Sequence, residues 1–432
     1  MNYRLKNWVY RHTHQERFNL LDRLLATQSM RPAQLRQLQQ QSLSELITHA
    51  VTHSPYYRNK YRDVPALFSP DEGISRLPLL RKDDVIKHRE SLLADNVDPR
   101  TVRIGHTGGS TGQPLAFYYD RHKMELMRAG MCRSYMWSGW RPGQKIMNFW
   151  GAKQDIRPAG FSRRLDNFFA AEKTVGAYEY TESDLANWVR QIQRYRPVLL
   201  QGYASILAEL ARYVLDQGLR LPSTLMGVYS TAEMLHDWQR ALMESAFACK
   251  VFNQYGSREI PNIACECHHG NQHVFTDMVY LESIHEDGAD KLVITSLTNR
   301  TMPFIRYDIG DLGTLKEGGC PCGSPFPIMA MGVCRSNDLI KTRSGKTIYP
   351  SYFIHLLDGL EGIKQYQFVQ TAIDKMTLNI LATRQLTTAE QAGIRARIAH
   401  DVDADMALEI YHVEAITRSR SGKHRFVIRE IV

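Results

Sequence analysis

The sequence predicts an α/β fold: a large body built on a mostly parallel sheet, then a small α+β unit at the C-terminal end. Three observations lead there. Through the middle of the chain, helix-period segments alternate with short apolar runs. After about residue 270 the texture changes to strand-like segments separated by turns. The last hundred residues read as strands around a single helix. A chain of 432 residues also exceeds one ordinary core, so two or more domains are expected.

The elements follow in order. "RPAQLRQLQQQSLSELITHAVTH" repeats Leu35, Leu38, Leu43, Leu46 and Ile47 at helical spacing and stops at Ser54-Pro55. Residues 77 to 100 read as short helix and loop. "TVRIGHTGG" reads as strand into loop, "HKMELMRAGMCRSYMWSGW" as helix and "QKIMNFWG" as strand. "SDLANWVRQIQRYRP" is a helix stopped by Pro197, followed by the strand "VLLQG". "ASILAELARYVLDQG" is a helix with Gly218 at its C-terminal cap. The strand "LMGVYST", the helix "LHDWQRALMESAF" and the strand "KVFNQYG" complete the alternation. "HVFTDMVYLESI", "KLVITSL", "FIRYDIGDLGTL" and "DLIKTRSGKTIYP" then suggest a distorted antiparallel sheet. "IKQYQFVQT", "MTLNILATR", "TAEQAGIRARIAHDV" and "ALEIYHVEAI" form the terminal unit. No internal repeat or low-complexity segment is visible.

Composition narrows the function. Hydrophobic content of 43% and charged content of 23% are those of a soluble globular protein. No apolar run approaches the roughly 20 residues of a membrane helix. "MNYRLKNWVYRHTHQERF" lacks the apolar core of a signal peptide, so a cytoplasmic protein is expected. The net charge of +9 is dispersed, which argues against nucleic-acid binding and suits an anionic small substrate. Seven cysteines, an odd count without an export signal, argue against a disulfide framework.

The segment "HTGGSTGQPLAFYYD" packs three glycines and three hydroxyl residues into Thr107 to Gln113. Bare backbone and hydroxyl donors suit phosphate. A Walker loop is excluded, because Gly112 is followed by Gln113 and Pro114 rather than lysine. The glycine spacing is also wrong for a dinucleotide fingerprint.

The loop resembles the T-[SG]-G-S-T-G-x-P phosphate loop of adenylate-forming enzymes, the acyl- and aryl-CoA synthetases and their relatives. Further motifs follow in that family's order: "STAEML" at Ser230 to Leu235, "YGSRE" at Tyr255 to Glu259, "RYDIGDLG" around Asp311, "CRSNDLIKTRSGKTIYP" and "SRSGKHRF" with Lys423. The resemblance covers about residues 35 to 432. "SPYYRNKY" and "CECHHGNQHV…CPCG" are similar to the phenylacetate-CoA-ligase branch, which includes relatives from capsule biosynthesis.

The resemblance implies an N-terminal adenylation domain over 1–336, binding ATP and carboxylate, and a mobile C-terminal α+β domain over 337–432. Thr107, Gly108, Gly109, Ser110, Thr111 and Gly112 would meet the β- and γ-phosphates. Ala232, Glu233, Gln254, Tyr255, Gly256, Ser257, Arg258 and Arg335 would complete the nucleotide site. Glu259 would hold Mg²⁺, a hard cation that takes carboxylate and phosphate oxygens. Asp311 would accept both ribose hydroxyls, since an ionised carboxylate is acceptor-only. Lys423 would set an ammonium against the carboxylate and α-phosphate, making Lys423 and Glu259 the catalytic pair. Two departures stand out. Arg258 replaces the usual Thr, and Asn337 stands where the family's hinge aspartate lies.

Cys267, His273, Cys320 and Cys322 are the expected ligands of a tetrahedral structural zinc, a choice to which the resemblance to the phenylacetate-CoA-ligase branch also points. Sets using Cys265, His268 or His269, and reduced cysteines without a metal, remain open. The resemblance implies an acyl pocket among Phe149, Trp150, Tyr203, Tyr229 and Thr231, and an aromatic lining would suit a flat aryl acid. The expected reaction is ATP- and Mg²⁺-dependent adenylation of a carboxylic acid, with transfer to coenzyme A. The alternatives are direct transfer to an amine or hydroxyl, and a degenerate binding protein. Small molecules are the expected partners, with no nucleic acid and no membrane-integral segment; a homodimer is left open.

Overall fold

In a computed structural model of the chain, the described residues are 3–62, 73–107, 115–151, 161–178, 180–286, 288–335, 340–348, 352–353, 356–357, 360–417 and 423–431. The first two strands, β1 (Arg103–His106) and β2 (Ala116–Tyr119), pair as an antiparallel hairpin. The glycine- and hydroxyl-rich segment joins them.

Next come β3 (Ile146–Trp150), β4 (Glu172–Gly176), β5 (Leu199–Tyr203), β6 (Gly227–Thr231) and β7 (Lys250–Tyr255). They run parallel in the order β4-β3-β5-β6-β7. β5 and β6 are buried along their whole length, as expected of strands covered on both faces. The sheet continues through β8 (Ala264–Glu266), β9 (Gln272–Val274), β10 (Val279–Glu286), β11 (Ala289–Ser296), β12 (Tyr307–Lys316) and β13 (Ile328–Arg335). From β7 onward every pairing is antiparallel, in the order β7-β8-β9-β13-β12-β11-β10. The two textures in the sequence are therefore halves of one 11-stranded sheet.

Helices Glu182–Tyr195, Ala204–Asp216 and Asp237–Phe247 cover the parallel half, and Trp188, Ile192, Ile206, Leu210, Val214 and Met243 share its core. The first of these starts where Thr181 N–H donates to Asp184 Oδ2 (2.8 Å), and ends at Arg196 in the left-handed region before Pro197. The predicted helix at 31–53 is observed as Pro32–His53.

Several elements carried no signal in the sequence, β4, β13 and helix Pro55–Lys60 among them. Helices Tyr3–Thr13 and Gln15–Thr27 precede the first predicted helix, and the second packs on helix Arg121–Trp137. Helix Phe161–Ala170 precedes β4, and the three-residue β8 precedes the antiparallel half. Buried charge fastens the N-terminal helices. Arg17 Nε donates to Glu125 Oε2 at 2.7 Å. The fully buried Arg133 pairs with Asp277 (2.5 Å), donates to the Leu24 carbonyl (3.2 Å) and lies 4.1 Å from the Phe275 ring centroid.

At the C-terminal end, the short hairpin of β14 (Ile340–Lys341) and β15 (Thr347–Ile348) precedes a separate four-stranded sheet. Its strands are β16 (Ile363–Ala372), β17 (Lys375–Ala382), β18 (Ala407–His412) and β19 (Val427–Arg429), in the order β18-β17-β16-β19. Helix Thr388–Asp401 closes its own core through Ile394 and Ile398. Among the described residues, no helix is long and apolar enough to cross a membrane.

Breaking the Arg133–Asp277 pair strands a buried guanidinium. Asp277→Ala is expected to cost about 3–5 kcal/mol, and chemical denaturation measures it.

Candidate active site

The site assembles where the parallel strands end. Trp150, Tyr203, Thr231 and Tyr255 are the last residues of β3, β5, β6 and β7. Ligands in open α/β sheets bind outside this edge. Directly after β6, Ala232 takes φ of 70°, a strained conformation for a residue with a Cβ.

After Tyr255 the chain makes a tight turn before returning as β8. Ser257 N–H donates to the Ile260 carbonyl (2.9 Å), and Ile260 N–H to Ser257 Oγ (3.1 Å). Gly256 is required here: a Cβ would lie 2.9 Å from the Asn262 nitrogen. Asn262 in turn accepts from Gln254 Nε2 (3.2 Å) and donates to the Met127 carbonyl (2.8 Å).

This turn joins two other segments. Tyr255 Oη donates to Asp311 Oδ2 on β12 at 3.0 Å. Asp311 is in register with Arg335 on β13, beside a bulge that precedes Gly313. Glu259 is buried, and Tyr307 Oη approaches its Oε1 at 3.5 Å. Burial pushes the Tyr307 phenol well above its usual range, so it remains a donor.

The turn is also tied to the β1–β2 hairpin. Arg258 Nη1 donates to the His106 carbonyl at 3.1 Å, so this arginine grips the base of the phosphate-loop candidate. Thr107 lies there too; its N–H bonds the Leu115 carbonyl (2.8 Å) and its Oγ1 accepts from Leu115 N–H (2.9 Å). Gly108, Gly109, Ser110, Thr111 and Gly112 lie outside the described residues, as does Asn337.

Sequence reasoning missed Lys123. Its ammonium is buried, donates to the Glu259 carbonyl at 2.6 Å and lies 4.9 Å from the Phe117 ring centroid. Gly105 leaves room for that ring, because a Cβ there would fall 2.4 Å from Phe117 Cζ. Burial pulls the lysine down to about 8, against the raising effect of Glu259 and Asp120. A lysine in an amphipathic helix ordinarily reads as solvated, and no local signal marks it as buried.

Glu233 gathers the C-terminal unit. Its Oε2 accepts Ser205 N–H (2.8 Å) at the start of helix Ala204–Asp216. Its Oε1 accepts His424 N–H (2.7 Å), one residue beyond the half-buried Lys423. Glu209 bridges in the same direction, accepting from Tyr180 Oη and Gln365 Nε2, both at 2.7 Å. His236 meets Phe426 edge-on at 5.1 Å.

Three of the five pocket candidates, Phe149, Tyr203 and Tyr229, are core side chains. Phe149 is fully buried against Trp188, and Tyr229 is fully buried with its hydroxyl on the Ser134 carbonyl at 2.5 Å. Tyr203 is also buried, at the end of β5, and meets the half-buried Trp150 edge to face at 5.2 Å, with Thr231 in register beside it.

Cys267, His273, Cys320 and Cys322 converge, all four ligand atoms lying within 4.8 Å of one another. Cys267 Sγ and Cys320 Sγ are 3.6 Å apart. Two sulfurs on a tetrahedral zinc, each about 2.3 Å from it, would be roughly 3.7 Å apart. His273 Nδ1 bonds the Phe326 carbonyl (2.8 Å), which leaves Nε2, 3.3 Å from Cys322 Sγ, as the ligand atom. This arrangement fits a closed zinc site. Cys265 stands apart, bonded to Tyr229 Oη at 2.6 Å, while the His268 and His269 rings lie tilted at 45° to each other, centroids 4.1 Å apart.

A profile of the CapK C-terminal domain matches residues 340–430. Protein CapK of Staphylococcus aureus is 25% identical over 92% of this chain and 90% of its own. A phenylacetate-coenzyme A ligase of Thermus thermophilus is 25% identical over 88% of this chain and 85% of its own. 2-Hydroxyisobutyryl-CoA ligase with 2-HIB-AMP, in its postadenylation state, shares the fold with a TM-score of 0.72 at 20% identity, over 94% and 91% of the two chains. The same ligase in its thioesterification state aligns at 0.59, over 94% and 92%.

The Lys123 environment makes a pH prediction. Unfolded lysine keeps its proton to about 10.4. Between about pH 8 and 10 the unfolded state therefore binds more protons, and the penalty for burying this ammonium is relieved. Relative to Lys123→Met, the wild-type protein is expected to gain stability from pH 7.5 to 9.5 in urea titrations.

Proposed function

We propose that this chain, a member of the adenylate-forming superfamily in its phenylacetate-CoA-ligase-like branch, activates a carboxylic acid with ATP and passes the acyl group to coenzyme A. The acid's carboxylate oxygen attacks the α-phosphorus, and the bond to pyrophosphate breaks. The thiol sulfur then attacks the acyl carbon, AMP leaves, and the thiol proton passes to solvent.

The observation that carries this reading is the Glu233 carboxylate. It holds the segment beginning at Lys423 onto the C-terminal edge of the parallel strands, through His424 N–H. There the Lys423 ammonium would neutralise the carboxylate and α-phosphate oxygens as they meet. Asp311, oriented by Tyr255, would accept the ribose hydroxyls, as an ionised carboxylate does. The buried Glu259 would hold Mg²⁺, which would supply a bridge to phosphate oxygens. Arg258 would join the Glu259 turn to the loop after His106, a charged substitute for the usual Thr. The half-buried Trp150, at the end of β3, supports an aryl acid.

The thiolate and imidazole cluster would hold a structural Zn²⁺ that pins the turn after β8 to the loop between β12 and β13. Four protein ligands leave no open position for catalysis.

The test is pyrophosphate release from Mg-ATP against a panel of aryl, short-chain, hydroxy and amino acids, each with and without coenzyme A. Release with one acid class and a thioester product is expected. Release without a thioester would indicate direct transfer to an amine or hydroxyl, and silence across the panel would sink the reading. Lys423→Ala is expected to slow adenylate formation by about 10²–10³-fold without lowering the melting temperature.

For the cluster, elemental analysis is expected to find one zinc per chain. Cys322→Ser should lose it and lower the melting temperature. A metal-free wild-type protein of unchanged stability would count against the site.

A further inference from the structure

The N-terminal helix Tyr3–Thr13 turns Arg4, Leu5, Trp8 and Arg11 outward. Leu5 is 49% exposed and Trp8 57%, three residues apart and so on one helix face. The adjoining helix Phe161–Ala170 repeats this pattern, with Leu165 at 43% and Phe168 at 50%. Lys6 joins the two pairs: its Nζ lies 3.7 Å from the Phe168 ring centroid and donates to the Phe168 carbonyl at 3.2 Å. A single exposed apolar side chain needs no explanation. Two leucine–aromatic pairs on touching helices form a patch of the kind that marks a docking surface.

The N-terminal helix side of this patch is basic. Residues 1–15 contain Arg4, Lys6 and Arg11 and no acidic residue. Burial, and then the nearby Lys145 charge, lower the Lys6 pKa, so a second ammonium stands close by. Asp166, on the neighbouring helix, is already engaged by His14 at 3.1 Å and Arg128 at 3.9 Å.

We infer that this two-helix face docks on the surface of an anionic lipid bilayer, with Leu5, Trp8, Leu165 and Phe168 at the headgroup boundary and the cations against lipid phosphates. Leucine, tryptophan and phenylalanine beside Arg and Lys is the composition of helices that lie in the membrane interface. A second copy of the chain suits the face poorly. A two-fold contact would set the same cations against each other.

Co-sedimentation of the full chain with vesicles tests this independently of any enzymatic activity. Binding is expected to vesicles of equal phosphatidylcholine and phosphatidylglycerol, at least tenfold tighter than to phosphatidylcholine alone. It should be lost at about 1 M salt, where screening extends to only about 3 Å. Trp8→Asp with Phe168→Asp, and separately Arg4→Glu with Arg11→Glu, should each weaken binding at least tenfold with unchanged thermal unfolding. Equal binding to both vesicle types, or variants that bind like the wild type, would overturn the inference. So would an absence of vesicle binding together with a dimer that the same substitutions dissolve, which would make the face a self-association surface.

Discussion

The sheet stops being parallel at Tyr255, and the site depends on that change. β6 and β7 run the same way, while β8 returns antiparallel from the far side of a short turn. A parallel neighbour would have needed a long crossover; an antiparallel one needs only a turn. The turn therefore stays at the edge of the sheet, and Gly256, Arg258 and Glu259 are carried on it. Tyr255 then reaches Asp311 on β12, with β8, β9 and β13 between their strands, in the half of the sheet that the turn created. Without the reversal, the carboxylates at 259 and 311 would have no reason to share an edge.

Buried charge holds this edge in place at some expense in stability. Lys123 sits in a nearly water-free position, where its ammonium costs more than an apolar side chain would. In return it satisfies the Glu259 carbonyl and lies over Phe117 on the hairpin that brackets the phosphate-loop candidate. Arg258 links the same turn to the same hairpin from the other side, through His106. Two cations of different reach thus bind one turn to one hairpin. Arg133 does comparable work farther out, tying Leu24, Asp277 and Phe275 into one unit.

How much of this was legible followed from periodicity and reach. Helices Glu182–Tyr195 and Ala204–Asp216 carry dense apolar faces, and their spacing alone locates them within a residue or two. Helix Tyr3–Thr13 was not legible, because Leu5 and Trp8 face outward and blur its amphipathic pattern. β8 has three residues, too few for a period. In the site, Glu233 was visible as part of a motif, but its bond to His424 spans 191 residues and no local pattern encodes it. Phe149 and Trp150 are adjacent aromatics with opposite fates, since neighbours on a strand face opposite sides and sequence does not reveal which side meets the ligand. The four metal-type ligands were legible for the opposite reason. Few roles explain thiols and an imidazole in two tight clusters, so their chemistry pointed to one another across some 50 residues.

The contacts that seat the C-terminal unit set how easily it can move. Those described are mainly polar: Glu233 with His424 N–H, Glu209 with Gln365, and one edge-on ring contact at Phe426. Hydrogen bonds to a carboxylate contribute about 1.5–3 kcal/mol each. Ile394, Ile398, Phe368 and Leu378 meanwhile belong to a core that the unit keeps to itself. A body with its own core would keep its fold in the movement that the resemblance implies. Glu233 is well placed to govern that movement. Were His424 to leave, the Glu233 carboxylate would keep the Ser205 N–H and the positive end of a helix, so release would not strand its charge.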